Sequence, residues 1–156
     1  NFFYRLKYGR DIGLGEVLSR HMLETLKVQS WPVDLVTCVP LSKARARQRG
    51  YNQAAMLARP VALGIRQPFL PLLLRKTREV PTQVGLSAQD RRRNVEDAFE
   101  TGGVIHRSKR ILIIDDVTTT GSTMNACARA LMDAGAQQVY GLTFARAGLN
   151  DHNLST

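Results

Sequence analysis

The chain reads as a single α/β domain, a mainly parallel twisted sheet flanked by helices. Two features of the pattern predict it. Ile111-Leu112-Ile113-Ile114 is a run of four consecutive large apolar residues, as in a strand buried on both faces of a parallel sheet. Further short apolar runs alternate with stretches whose apolar residues recur at helical spacing, and such alternation implies parallel strands joined by crossover helices. The length of 156 residues suits one domain with a sizeable core.

Taken in order, Leu14, Val17, Leu18, Met22 and Leu26 predict an amphipathic helix laid against the sheet. Gly13-Leu14-Gly15 lacks a third glycine and a preceding strand, so it is no dinucleotide motif. After a boundary at Trp31-Pro32, Val33 to Val39 predicts a buried strand stopped by Pro40. The basic loop Leu41 to Gln53 leads into a helix from about Gln53, which Pro60 should end or kink within two turns. Phe69 to Leu74 predicts a strand ending in Arg75-Lys76, and Thr77 to Leu86 a loop that could act as a lid. Ser87-Ala88-Gln89-Asp90 opens a short helix through Asn94, and Val95 to Thr101 holds a short strand. His106 falls in a surface loop. Met124, Cys127, Ala128 and Leu131 predict another helix, stopped by Gly135, and Val139 to Ala145 a final strand. The domain is expected over residues 1–147, with a polar tail over 148–156.

The most informative stretch is Ile111 to Thr123. Asp115 and Asp116 follow the apolar run where the strand is expected to leave the core. Thr118, Thr119, Thr120, Gly121, Ser122 and Thr123 then lead into a helix. Ligands of open α/β sheets sit beyond the carboxyl ends of the strands. The hydroxyls, Gly121 and the positive end of the helix suit a phosphate. The carboxylates repel phosphate and suit the vicinal hydroxyls of a ribose, or a divalent metal. A solvated loop with a capping hydroxyl would explain the threonines but not the acidic pair with the glycine. The Gly-Lys-Ser/Thr of a nucleotide-binding P-loop is absent.

Composition excludes several classes. No apolar run reaches the roughly 20 residues of a transmembrane helix, and Asn1 to Arg5 lacks the apolar core of a signal peptide. Cys38 and Cys127 read as buried free thiols without zinc-ligand spacing, which points to a cytoplasmic home. The net charge of +9 is concentrated: residues 35–78 hold nine Lys/Arg and no acid, while elsewhere the charges balance. Such a segment attracts polyanions, either nucleic acid or pyrophosphate. Arg92 and Arg93 read as a solvated face.

Residues 111–123 resemble the phosphoribosyl-pyrophosphate (PRPP) motif of type I phosphoribosyltransferases: four apolar residues, two acids, two variable positions and a Thr/Gly-rich phosphate loop. More narrowly, the chain resembles the ComF/GntX family, phosphoribosyltransferase-like proteins associated with competence and the use of external DNA. The resemblance runs over Lys7-Tyr8-Gly9, Val39-Pro40-Leu41 and Arg49-Gly50-Tyr51-Asn52-Gln53. Arg75, Gln83, Leu86, Arg91, Asn94 and Ala98-Phe99 follow in the family's order before the acidic pair. The Cys-rich zinc-binding segment common in that family is absent from residues 1–156. Where many phosphoribosyltransferases carry a base-contacting Asp in the loop, this chain has Thr119.

The resemblance implies PRPP as ligand, with Mg²⁺ held through it rather than by direct protein ligands, and an unidentified nucleobase-like acceptor. Asp115 and Asp116 would hold the ribose diol, and Thr118 to Thr123 the 5′-phosphate. Pro40, Leu41, Ser42, Lys43 and Arg45, with Arg49 and Arg75 or Arg91, would hold the pyrophosphate. Asp115, Asp116 and Arg49 are the expected catalytic set. The competing readings are a PRPP-sensing module without turnover and a single-stranded-DNA-binding competence module, although only Tyr51 and Phe69 interleave with the arginines. A phosphorylation receiver would leave the hydroxyl/glycine loop unexplained. Competence proteins and a second copy of the chain remain open as partners.

Overall fold

The computed structural model describes residues 12–41, 46–48, 50–77, 98–102, 105 and 109–146. The elements are α1 (Ile12–Gln29), β1 (Leu35–Cys38), α2 (Gln53–Gly64), β2 (Leu74–Lys76), β3 (Phe99–Thr101), β4 (Arg110–Thr118), α3 (Ser122–Asp133) and β5 (Gln138–Arg146). The main sheet has the order β1-β4-β5 and is parallel throughout. An α/β fold with helices on both faces is thus what the chain forms.

The helices segregate by face. Leu18, Met22 and Leu26 of α1 and Leu57 and Val61 of α2 bury against Val36, Cys38, Leu112 and Ile114. Cys127 and Leu131 of α3 bury against Leu35, Ile111 and Ile113 on the opposite face, together with Leu74 of β2. Period-two alternation along β1 and β4 sends successive side chains to opposite layers. Burial on both faces is why Ile111 to Ile114 are apolar without interruption, all at 0% exposure. Gly141 of β5 lets α3 approach closely, since a Cβ there would stand 2.9 Å from Met124 Cγ. At the amino edge, Asp34 accepts from the Arg110 backbone N–H at 2.8 Å and from Arg110 Nε at 2.9 Å, tying β1 to β4. No helix among the described residues is long and apolar enough to cross a membrane.

Three expectations change. Pro60 lies inside α2, which runs on to Gly64. Proline removes the bond to the carbonyl four residues back, but Leu57, Ala58, Val61 and Ala62 bury on both sides of it, and that packing carries the helix through. The run Phe69 to Leu74 is divided rather than one strand. Phe69 bridges Val36 in parallel, with Val36 N–H donating to Pro68 O and Leu70 N–H to Val36 O, each at 2.9 Å. Pro71 cannot donate to a ladder, the chain turns at Leu72 and Leu73, and β2 pairs antiparallel with β3 in a separate ribbon. Finally, β4 does not stop at Ile114. Asp115, Val117 and Thr118 pair with Thr143, Ala145 and Arg146 of β5.

The helices expected over 14–26 and from Met124, and the strands expected over 33–39 and 139–145, appear as α1, α3, β1 and β5 with shifted ends. Of Val95 to Thr101, Phe99–Thr101 is β3. The remainder of the Thr77 to Leu86 loop, the helix from Ser87 to Asn94, His106 and the tail from Gly148 lie outside the described residues.

Candidate functional site

β1 ends at Cys38, opposite Ile114, whereas β4 continues for another turn of the pleat with β5 alone beside it. The acidic pair therefore stands where β4 has lost one neighbour. The loop leaving β1 closes over that position, with Val39 N–H donating to Ile114 O at 2.9 Å. The connection after β1 goes to α2 on one face, and the connection after β4 goes to α3 on the other. Two adjacent parallel strands whose crossovers diverge open a crevice at their carboxyl ends. Asp115 and Asp116 lie in it.

Asp115 is 9% exposed. One of its oxygens accepts from the Asp116 backbone N–H at 2.9 Å. Burial, followed by the hydrogen bond and charge of the Asp116 carboxyl, pushes Asp115 up to about 7. Two carboxyls so close cannot both ionise cheaply, and hydroxyl donors or a cation would relieve them. Cys38 and Cys127 are free, buried thiols. Burial, then the charge of Asp115, pushes Cys38 up to about 12 and Cys127 higher still, so both are inert.

Beyond Thr118 the chain turns through exposed Thr119 and Thr120 to Gly121, whose φ of 80° is left-handed. Thr120 Oγ1 donates to Ser122 Oγ at 3.1 Å and accepts from Ser122 N–H at 3.3 Å. The first α3 bond runs from Asn125 N–H to Gly121 O. The N–H groups of Thr123 and Met124 precede it, so they lack an intrahelical acceptor. The first turn carries no acid. Thr118 to Thr123 thus form a hydroxyl-rich helix start next to the carboxylates, a suitable cradle for an anion.

Pro40 and Leu41 follow β1 at half-buried positions on the same edge. Ser42, Lys43, Arg45, Arg49 and Arg91 lie outside the described residues. Arg75 is exposed on β2, with Nε 3.0 Å from where a Cβ would stand on Gly102. Lys76, one residue on, shares the Leu74 face, and its charge reaches the Cys127 thiol. Among the described residues no cluster of three or more His, Cys, Asp or Glu could hold a metal ion. Mg²⁺ commonly keeps several waters and completes its shell with substrate phosphates, so a metal carried in by the ligand needs no such cluster.

Asn52 is the residue the sequence reading undervalued. Its Oδ1 accepts from Ala54 and Ala55 N–H at 3.0 and 3.4 Å, and its Nδ2 donates to Val39 O at 3.0 Å. It caps α2 and pins that helix to the end of β1. Asn ahead of an apolar helical run is the signal that could have found it.

A family model described as phosphoribosyl transferase domain matches residues 54–149. Competence protein F of Haemophilus influenzae is 36% identical over 111 residues, covering 70% of this chain and 48% of that protein. DNA utilization protein YhgH of Escherichia coli O157:H7 is 33% identical over 141 residues, covering 87% of this chain and 62% of that protein. The chain therefore spans about half to three-fifths of the length of these curated relatives. In fold it is similar to the glutamine PRPP amidotransferase of B. subtilis complexed with ADP and GMP, with a TM-score of 0.56 at 20% identity over 90% of this chain and 30% of that one.

Proposed function

We propose, since this chain belongs to the phosphoribosyltransferase domain family as a ComF-type, type I member, that it binds PRPP with Mg²⁺ and transfers the phosphoribosyl group to a nucleobase-like acceptor. Its relatives are named for competence and for DNA utilization, and a salvage role for this activity during the use of external DNA fits those names. The observation that carries the reading is the adjacency, at one crevice, of a paired carboxylate and an acid-free helix start.

The ribose 2′- and 3′-hydroxyls donate to Asp115 and Asp116. This stabilises the ionised form of a pair that burial otherwise holds partly protonated. The 5′-phosphate accepts from the first-turn N–H groups of α3 and from the Thr120, Ser122 and Thr123 hydroxyls. The diphosphate lies along Pro40 to Arg45, with Arg49 and Arg75 or Arg91 supplying charge. As the bond from the anomeric carbon to the diphosphate lengthens, positive charge develops on the sugar, next to the two carboxylates. Mg²⁺, when bound through the diphosphate, would neutralise the leaving group. Positioning and charge are the chain's contribution, and losing one such contact typically costs about 10²–10³ in rate.

One observation favours a second reading, PRPP binding without turnover: Thr119 stands exposed at the loop position where the resemblance would place a base-contacting acid. Incubation with PRPP, Mg²⁺ and a panel of nucleobases separates the two. Pyrophosphate release with any base supports transfer. Binding of PRPP without release with every base supports the sensing module, and no PRPP binding at all would refute both.

A further inference from the structure

We infer that Gln53 is a further ligand-contacting residue of this site, its Nε2 amide donating to an oxygen of the diphosphate of bound PRPP; this rests on the phosphoribosyl reading above. Gln53 is the first residue of α2. The chain leaves β1, passes through α2 and returns at Phe69 parallel to β1, so α2 runs against the strands. Its N-terminus therefore stands at the carboxyl edge of the sheet, the edge that carries the acidic pair. Asn52 holds it there through the Val39 carbonyl.

Asn52 already caps the Ala54 and Ala55 N–H groups. What remains unpaired is Gln53 Nε2, on a side chain only 1% exposed. Among the described residues it is the one buried side-chain polar atom without a hydrogen-bond partner. Burying an amide donor without an acceptor costs stability, and buried polar groups are nearly always paired. The rest of the buried stripe on α2 is alanine, leucine and valine, so an apolar residue would serve packing better. The amide makes sense if its acceptor arrives from outside the chain.

The chemistry of that acceptor follows from the surroundings. The donor sits at the positive end of a 12-residue helix with no acid in its first turn. It also lies in the acid-free basic segment that carries the whole charge excess. An anionic oxygen is the matched partner. PRPP has two anionic groups, and the 5′-phosphate is taken by the start of α3. The diphosphate extends toward the loop leaving β1, whose far end is Asn52.

The test titrates wild-type, Q53M and Q53E chains, with Mg²⁺ present, against PRPP, inorganic pyrophosphate and ribose 5-phosphate, and follows the melting of each ligand-free chain. Q53M should weaken PRPP and pyrophosphate roughly tenfold or more, as for one lost hydrogen bond to a charged group. Ribose 5-phosphate affinity should not change. The ligand-free Q53M melting temperature should equal or exceed the wild-type value, because the unpaired donor is gone. Q53E places an acceptor where the donor stood and should weaken pyrophosphate further. Unchanged PRPP affinity in Q53M overturns the inference, as does an equal loss for ribose 5-phosphate. A Q53M chain that melts earlier or fails to fold also overturns it, by showing the amide to be structural. Wild-type chain that binds none of the three probes would instead refute the phosphoribosyl reading itself.

Discussion

Replacing Gly121 by alanine separates the backbone's role in the loop from its role toward ligand. A Cβ at Gly121 would meet nothing within 4 Å, so the substitution displaces no neighbour. The penalty is conformational: with φ at 80°, an L-residue pays about 1–2 kcal/mol for the left-handed region. Alanine also reduces the freedom of the unfolded chain, which returns about 0.4–1 kcal/mol. The net loss is about 1 kcal/mol, a fall in melting temperature of roughly 2–4 °C for a domain of this size. The same methyl enters the open space at the head of α3, where the phosphate is proposed to sit. It also presses the turn to relax toward negative φ, which re-aims the Thr123 and Met124 N–H groups. Affinity for ribose 5-phosphate should therefore fall by roughly tenfold or more, one charge-assisted hydrogen bond's worth. Scanning calorimetry and titration of the same preparation read both quantities. Wild-type affinity in G121A would refute the phosphate cradle. A melting loss of roughly 10 °C or more would show that the Cβ meets protein after all.

Other outcomes follow from the same geometry. Asn52→Ala removes the α2 cap and the tie to Val39, and should cost about 2 kcal/mol, visible as a lower denaturant midpoint with an unchanged slope. Asp115 has a raised folded-state pKa of about 7, so its protonated form stabilises the ligand-free fold. That contribution is complete below its ordinary pKa near 4 and is lost as pH rises through about 7. Melting of wild-type chain minus that of D115N should therefore decline across that window, and a flat difference would remove the burial argument. PRPP affinity should run the other way, tightening as pH rises toward 7, because the diol pairs with the ionised carboxylate.

Much of the architecture was legible because its signals are local. Ile111 to Ile114 could only be a doubly buried strand, and the spacing of Leu18, Met22 and Leu26 could only be a helix face. What escaped depended on distant partners. Asp115 to Thr118 look like the start of a loop, yet they remain in the sheet because the nine residues of β5 are long enough to pair with them. Leu70 and Leu74 belong to one apolar run, yet Leu70 bonds to β1 while Leu74 pairs with Thr101, a residue 27 positions later in the chain. The break at Pro60 was overruled by packing on α1 and the sheet. At the site, the acidic pair and glycine loop were legible as a motif. The crevice that gives them a shared edge came only from the divergence of α2 and α3. Gln53 was legible only as the last residue of the Arg49-Gly50-Tyr51-Asn52-Gln53 resemblance, since its burial and unpaired amide exist only in three dimensions.

The most direct test of the account is calorimetric titration of wild-type chain and an Asp115→Asn/Asp116→Asn variant with PRPP in the presence of Mg²⁺. The account predicts saturable binding to the wild-type chain and a loss of roughly 100-fold or more in the variant, as for two hydrogen bonds to charged groups. Equal affinity in the two chains would contradict it.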